Sequence, residues 1–300
     1  MQLSILIRNL NEARSLEQTL LAIKKQQTNF EYEIVVIDNE SDDNSVSIAL
    51  QMGCKVFTLK RNEFTFGSAL NYGIEKCNGE IILILSAHVI LLNEFFLQNI
   101  PQYFNNLKVA ALRFVHAVST EQVADSLQNG HKELIYSNDP NFAVDNWKNF
   151  AVNHCAAIKR SCWEQVNFNE QIFASEDKMW NIEILKRGYS ILYDVPCFYV
   201  YTKPFSRKIK TERAIIEESA KQIITGYQEP FFSGSYTKTL FIKIRSSLKK
   251  LLEEIKMHKK IYYGIKAVKR KYKTDSINNN NKSASSKKSI FELKLKVDTE

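Results

Sequence analysis

Short apolar runs alternate with amphipathic stretches along the first hundred residues. Leu3-Ser4-Ile5-Leu6-Ile7, Glu33-Ile34-Val35-Val36-Ile37, Lys55-Val56-Phe57-Thr58-Leu59 and Glu80-Ile81-Ile82-Leu83-Ile84-Leu85 each read as a buried strand. Between them lie helical patterns. Leu16, Leu20, Leu21 and Ile23 share one face, Val46, Ala49 and Leu50 begin another behind the capping residues Asp42 to Ser45, and Ser68 to Cys77 forms a third. Near-continuous apolar strands alternating with helices predict an α/β fold with a mainly parallel sheet flanked by helices. Polar residues gather at the strand ends: Arg8-Asn9 with Asn11, Asp38-Asn39-Glu40, and Ser86-Ala87-His88. In open α/β sheets that edge binds ligands.

Beyond Leu92 the pattern changes. Residues 93–106 read as a helix, Val109 to Phe114 as a strand, and 119–146 as a polar, irregular excursion. Phe150 to Ile158 returns to the sheet, Glu176 to Arg187 is a helix closed by Gly188, and Tyr189 to Asp194 is a last strand. From Lys238 apolar residues recur every three or four positions through 272, which predicts a long amphipathic helix or helix pair. The last residues are rich in Asn, Ser and Lys, with the composition of a disordered tail. Three regions follow: 1–205 as the main domain, 206–272 as a basic amphipathic helical region, and 273–300 as the disordered tail.

Charge sharpens this division. The chain carries a net +8, but residues 1–205 sum to −5 and residues 206–300 to +13. A protein that bound nucleic acid along its whole length would not be acidic over two thirds of it, so no nucleic-acid partner is expected. The five cysteines form no CxxC pair and no zinc-spaced cluster, and read as reduced, buried thiols. The opening residues lack the basic and apolar regions of a signal peptide, and the longest apolar stretch, Ile81 to Leu92, is too short to span a bilayer. A cytoplasmic chain, soluble or peripheral, is the expectation.

Three separated motifs carry chemistry. Arg8-Asn9-Leu10-Asn11-Glu12 and Val35-Val36-Ile37-Asp38-Asn39-Glu40-Ser41-Asp42-Asp43 follow the first two strands. Phe64-Thr65-Phe66-Gly67-Ser68-Ala69-Leu70-Asn71-Tyr72-Gly73 precedes Gly79-Glu80 and the strand that ends in Ser86-Ala87-His88. Ninety residues after Ser86, Glu176-Asp177-Lys178-Met179-Trp180 opens a helix. Taken alone, Asp38 and Asp42 serve equally well as turn and cap residues, and Glu176-Asp177 as helix-capping carboxylates.

In this order the motifs resemble those of the family 2 glycosyltransferases, over residues 1 to about 205. The resemblance implies the glycosyltransferase type A fold with a C-terminal helical basic extension. It also implies inverting transfer from a nucleoside-diphosphate sugar, of UDP or dTDP type, to a hydroxyl on a glycan or lipid-linked acceptor. Asp177, with Glu176 beside it, stands where the family has its catalytic base. Arg8, Asn11, Asp38, Glu40, Asn71, Ser86 and Lys203 stand where the donor binds. The strand that usually ends in Asp-x-Asp ends here in Ser86-Ala87-His88, which resembles a subgroup with Ser-Ala-His. A divalent cation, Mn²⁺ or Mg²⁺, would then meet His88, imidazole being the better match to Mn²⁺. The family's later histidine is replaced by Tyr201-Thr202-Lys203, and Lys203 can supply positive charge to the diphosphate instead. His116 and His154 match no ligand spacing and read as core or loop histidines. Trp147, Trp163 and Trp180 read as packing residues, with an acceptor contact as the alternative for Trp180, one turn from Asp177. The rival reading is a non-catalytic nucleotide-sugar-binding or scaffold protein descended from a transferase. The basic stripe fits either an anionic surface at the inner face of the membrane or a protein surface, including a second subunit in a homo-oligomer.

Overall fold

The computed structural model describes residues 2–202, 207–227 and 248–279. The chain divides into two compact units, one built on a sheet and one holding the two C-terminal helices. Lys203 lies outside the described residues.

The first unit begins as its apolar pattern predicts. β1 (Leu3–Asn9), β2 (Tyr32–Asp38), β3 (Lys55–Thr58) and β4 (Ile81–Ser86) pair in parallel in the order β3-β2-β1-β4. Leu3, Ile5, Leu6 and Ile7 are fully buried, as are Ile82 to Leu85, because helices cover both faces. α1 (Ala13–Lys24) buries Leu16, Thr19, Leu20 and Ile23 on one side, and the Thr19 hydroxyl donates to the carbonyl of Ala87 beyond β4. α2 (Ser45–Gln51) covers the edge, and α3 (Phe66–Lys76) starts at a capping box in which Thr65 and Ser68 exchange bonds. Two glycines let α3 seat closely. A Cβ on Gly73 would lie 2.5 Å from Leu6 Cδ1, and one on Gly67 2.3 Å from the Asn169 carbonyl.

The second half of the sheet is mixed. β5 (Val89–Leu91), β6 (Val109–His116), β7 (Lys132–Ile135), β8 (Cys155–Lys159) and β9 (Ser190–Tyr201) complete it. β8 inserts antiparallel between β4 and β6, β6 and β9 run parallel, and β5 and β7 pair antiparallel with β9. Several elements differ from expectation. Residues 93–106 form turns and a short 3₁₀ segment rather than a helix. The polar excursion holds α4 (Thr120–Asn129), β7 and the short α5 (Phe142–Asp145), so it is less irregular than its composition suggests. β8 starts five residues later than the apolar run beginning at Phe150, and is followed by the one-turn α6 (Arg160–Trp163). The last strand runs on to Tyr201, with Asp194 in the left-handed region at φ 57° breaking its alternation. α7 (Glu176–Lys186) starts after Ser175 and ends near Gly188, as the sequence indicates.

The second unit contains α8 (Arg207–Thr225) and α9 (Leu248–Asn279), which pack on each other through Ile215, Ala220 and Ile265. The stretch expected to be helical from Lys238 lies outside the described residues as far as 247, and α9 continues seven residues beyond 272. The tail from 280 also lies outside them.

Candidate active site

Parallel register brings the polar strand ends together. Arg8 pairs with Ser86 and Asn9 with Asp38, so the loops after β1, β2 and β4 emerge side by side. Four non-glycine residues take positive φ among those described: Asn11 at 53°, Glu40 at 56°, Ser175 at 62° and Asp194. The first three flank the candidate site. Left-handed backbone costs an ordinary residue about 1 kcal/mol or more, so these loops are held by their surroundings.

Hydrogen bonds show what holds them. Asp38 is buried; its Oδ1 accepts from Asn9 Nδ2 at 2.8 Å and Ser41 Oγ at 2.6 Å, and its Oδ2 from the Ser41 N–H at 2.9 Å. Asn11 is exposed, its N–H donating to Ser41 Oγ and its Oδ1 accepting from the Asp42 N–H. Glu40 is exposed and accepts from the Arg61 N–H at 2.8 Å, while the Arg61 guanidinium pairs with Asp42. Asp38 therefore ties the two loops together, and Asn11 and Glu40 present the rim.

The carboxylate pair sits across this edge. Glu176 and Asp177 open α7 directly after the left-handed Ser175. Both are tied to one residue, Asn153, in the loop before β8. Its side-chain amide donates to Glu176 Oε1 at 3.2 Å, and its backbone N–H donates to Asp177 Oδ2 at 3.1 Å. The Asn153 carbonyl in turn accepts from Arg8 Nη2 at 3.3 Å, and Arg8 Nη1 lies 4.0 Å from Glu176 Oε1. The Arg8 guanidinium also covers the Phe66 ring, 5.2 Å from its centroid. Arg8, Glu176 and Asp177 thus converge from strand and helix. In the sequence Asn153 stands between the strand-end motif and Glu176-Asp177 as in the family it resembles, but its spacing does not reveal that it bonds both carboxylates.

Electrostatics separate the two carboxylates. Glu176 is 5% exposed, and burial, then the neighbouring Asp177 charge, push its carboxyl up to about 7, against the pull of Arg8 and the Asn153 amide. Burial holds the Arg8 guanidinium below its ordinary value, although Glu176 and Asp177 oppose that shift. Asp177 is only half-buried, with Oδ1 accepting from the Lys178 N–H.

At the end of β4, Ser86 donates its N–H to the His154 carbonyl. His88 Nδ1 lies 3.9 Å from Glu12 Oε1, and its ring meets Tyr201 edge-on at 4.3 Å between centroids. Among the described residues, no group of three or more His, Cys, Asp or Glu side chains is arranged to hold a metal ion. His116 and His154 belong to packed surroundings. His154 Nε2 is 2.6 Å from the Tyr199 hydroxyl, and His116 stacks on the Tyr199 ring, its pKa lowered by burial.

One expected contact is corrected. Asn71 is buried, and all four of its side-chain hydrogen bonds stay within the protein. Nδ2 donates to the Phe168 carbonyl and Glu170 Oε1, while Oδ1 accepts from Trp163 Nε1 and the Phe168 N–H. Its capacity is filled, so it clamps α3 to the segment before α7 rather than meeting a donor. Trp180 is 2% exposed, donates to the Val166 carbonyl and packs on Phe168, which is the packing role read for it from the sequence.

The sequence profile of glycosyl transferase family 2 matches residues 4–166, which contain the loops after β1, β2 and β4 and Asn153, but not α7 or β9. The chain belongs to glycosyl transferase family 2. Among similar proteins, it is 25% identical over 201 residues to the O-antigen chain rhamnosyltransferase RfbN of Salmonella typhimurium, covering 64% of each chain. It is 26% identical over 176 residues to the O-antigen chain rhamnosyltransferase WbaN of Salmonella anatum, covering 56% of each. The chain thus spans less than two thirds of the length of these relatives. The mannosyltransferase PcManGT from Pyrobaculum calidifontis, solved with GDP-Man and Mn²⁺, aligns with a TM-score of 0.57 at 16% identity, covering 95% of this chain and 76% of that one. S. aureus TarS 1–349 with UDP-GlcNAc aligns at 0.56 and 16% identity, covering 75% and 66%. These likenesses show the fold: the mixed sheet with flanking helices is of the glycosyltransferase type A kind.

Proposed function

We infer that this family 2 member is an inverting glycosyltransferase that moves a sugar from a nucleoside-diphosphate donor to a hydroxyl of a glycan or lipid-linked acceptor. The observation that carries the reading is the convergence of Arg8, Glu176 and Asp177 on Asn153 at the ligand edge of the sheet. The named rhamnosyltransferase relatives support the reaction class. Asp177, the more exposed carboxylate, accepts the proton of the acceptor hydroxyl as that oxygen bonds to the sugar C1. The C1–O bond to the diphosphate breaks with its electron pair on the leaving group, and the configuration at C1 inverts. Buried Glu176 shares a proton at neutral pH, which keeps the paired charge low beside the base.

The donor lies along the loops of β1 and β2, with Asn11 and Glu40 on the rim of the nucleoside pocket and Asp38 shaping it. A UDP or dTDP donor fits, since rim carboxylates can accept from a pyrimidine N3–H. Arg8 and Ser86 face the diphosphate, and Lys203, outside the described residues, is proposed on its charge alone. His88 and Glu12 form a two-point site, which fits a Mn²⁺ or Mg²⁺ ion provided that phosphate oxygens complete its shell. Such an ion, when bound, offsets charge on the departing diphosphate. The acceptor is proposed to be presented at the inner face of the cell membrane.

Incubation of the full chain with UDP- and dTDP-sugars and a panel of saccharide acceptors tests this. Acceptor-dependent release of nucleoside diphosphate, with inverted anomeric configuration in the product, is the expected result. Tight donor binding without release on any acceptor would instead favour a non-catalytic nucleotide-sugar-binding protein.

A further inference from the structure

We propose that the exposed face of α9 is a docking surface for an anionic lipid bilayer. Sequence alone leaves two uses for the C-terminal apolar stripe, insertion or packing. The structure assigns that side of α9 to α8. Gly264 and Ile265 are buried, a Cβ on Gly264 would lie 2.6 Å from Ile215 Cδ1, and Lys269 Nζ donates to Gln222 Oε1 at 2.6 Å. What remains exposed is different in kind. Lys256, Lys259, Lys260, Lys266, Arg270 and Lys271 are exposed, with Tyr263 among them at 65% and Ala267 beside it.

At 100° per residue these positions fall within one arc of about 140°, along roughly 24 Å of helix. No Asp or Glu occurs between residues 256 and 271. Acids occur on α8, where Glu217 is 3.9 Å from Arg213, and on α9 only outside this stretch, at Glu253, Glu254 and Asp275. A solvating surface would mix signs around the helix; over residues 256–271 one sign fills one face. Five of the six cations are lysines, compact point charges suited to lipid phosphates, whereas nucleic-acid recognition draws on the planar arginine fork. Tyr263 adds a ring with one apolar and one polar end, the side chain favoured at membrane interfaces. The inference rests on the proposed function only for its purpose: it brings a cytosolic donor to a lipid-linked acceptor.

Co-sedimentation of the full chain with phosphatidylcholine vesicles, with and without phosphatidylglycerol, tests the proposal. Each basic residue near an anionic surface strengthens partitioning about fivefold. Binding is expected only to vesicles containing phosphatidylglycerol, with loss at high salt. Changing Lys256, Lys259, Lys260 and Lys266 together to Gln should weaken it on the order of several hundredfold, while the same four changed to Arg should retain it. Thermal melts of both variants check that the helix pair stays folded. The proposal is overturned if the wild-type chain ignores anionic vesicles, if the Gln variant binds them as well as wild type, or if single-stranded RNA binds more tightly than the vesicles do. Donor turnover on a soluble acceptor, measured without vesicles, reports on the glycosyl chemistry separately, so either reading can fail alone.

Discussion

Asn153 holds Asp177 by its backbone, the N–H donating to Oδ2 at 3.1 Å from a position 24 residues earlier in the chain. A backbone donor persists with any residue but proline at 153, whereas the Asn153 amide on Glu176 does not. The two carboxylates are therefore separable by mutation.

Asp177→Asn keeps the shape and removes proton acceptance. Transfer should fall by about 10²–10⁴-fold, with donor affinity by calorimetry close to wild type. Near-native turnover in this variant would exclude Asp177 as the base.

Asn153→Ala removes the amide donation to Glu176 Oε1 and leaves a buried carboxyl less satisfied. Stability should drop by about 1–3 kcal/mol, read from urea titrations, and the Glu176 carboxyl should move further up. Asn153→Gly, with the backbone N–H still present, should retain more activity than Asp177→Asn.

Glu176 also sets a pH dependence. Its folded value, up to about 7, lies above the ordinary carboxylate value, so its contribution to stability is complete below about pH 4.5 and is lost as pH rises through 7. Glu176→Gln should abolish that loss. At pH 8 the variant should be more stable than wild type by about 1–3 kcal/mol, the lower end applying because Arg8 loses its nearby charge. Denaturation midpoints at pH 4.5 and pH 8 decide the matter: a gain confined to pH 4.5 would reverse the sign argued here.

How far the sequence could be read follows from where each signal lies. β1 to β4 are legible because each is a contiguous apolar run with its polar residues at one end. The Glu176-Asp177 helix start is legible because both residues are adjacent in the chain. Asn71 misleads for a physical reason: its motif is intact, but its partners at Trp163, Phe168 and Glu170 lie over ninety residues away, so its saturation is invisible locally. The Arg8–Asn153 bond spans 145 positions and is equally unreadable. The extension of β9 past Asp194 escapes because a left-handed residue interrupts the alternation on which strand reading depends.

Asn71 offers a direct contrast between clamp and contact. Asn71→Ala removes four buried hydrogen bonds and orphans the Trp163 indole N–H and the Phe168 N–H. The cost should be about 2–4 kcal/mol in denaturant unfolding. Donor affinity of the folded fraction should be unchanged. A variant as stable as wild type with weakened donor binding would return Asn71 to the donor site.

His88 is the test of the altered strand end. The imidazole stands 3.9 Å from Glu12 Oε1 and packs against Tyr201, so a carboxylate from the residue before α1 stands beside it where an Asp-x-Asp strand end would itself supply two carboxylates. Imidazole with carboxylate favours Mn²⁺ over Mg²⁺, since magnesium prefers oxygen ligands and sheds water reluctantly. Donor affinity measured by calorimetry should therefore be highest with Mn²⁺, lower with Mg²⁺ and lowest with EDTA, and His88→Ala should erase the difference between Mn²⁺ and EDTA. Glu12→Gln should erase part of it. Arg8 supplies a second prediction from the same titration. Its guanidinium carries a fixed charge at the same edge, so Arg8→Met should weaken donor binding equally with Mn²⁺ and with EDTA. If wild-type affinity is the same in EDTA as in Mn²⁺, His88 holds no metal that the donor senses, and the diphosphate depends on Arg8 and its neighbours alone.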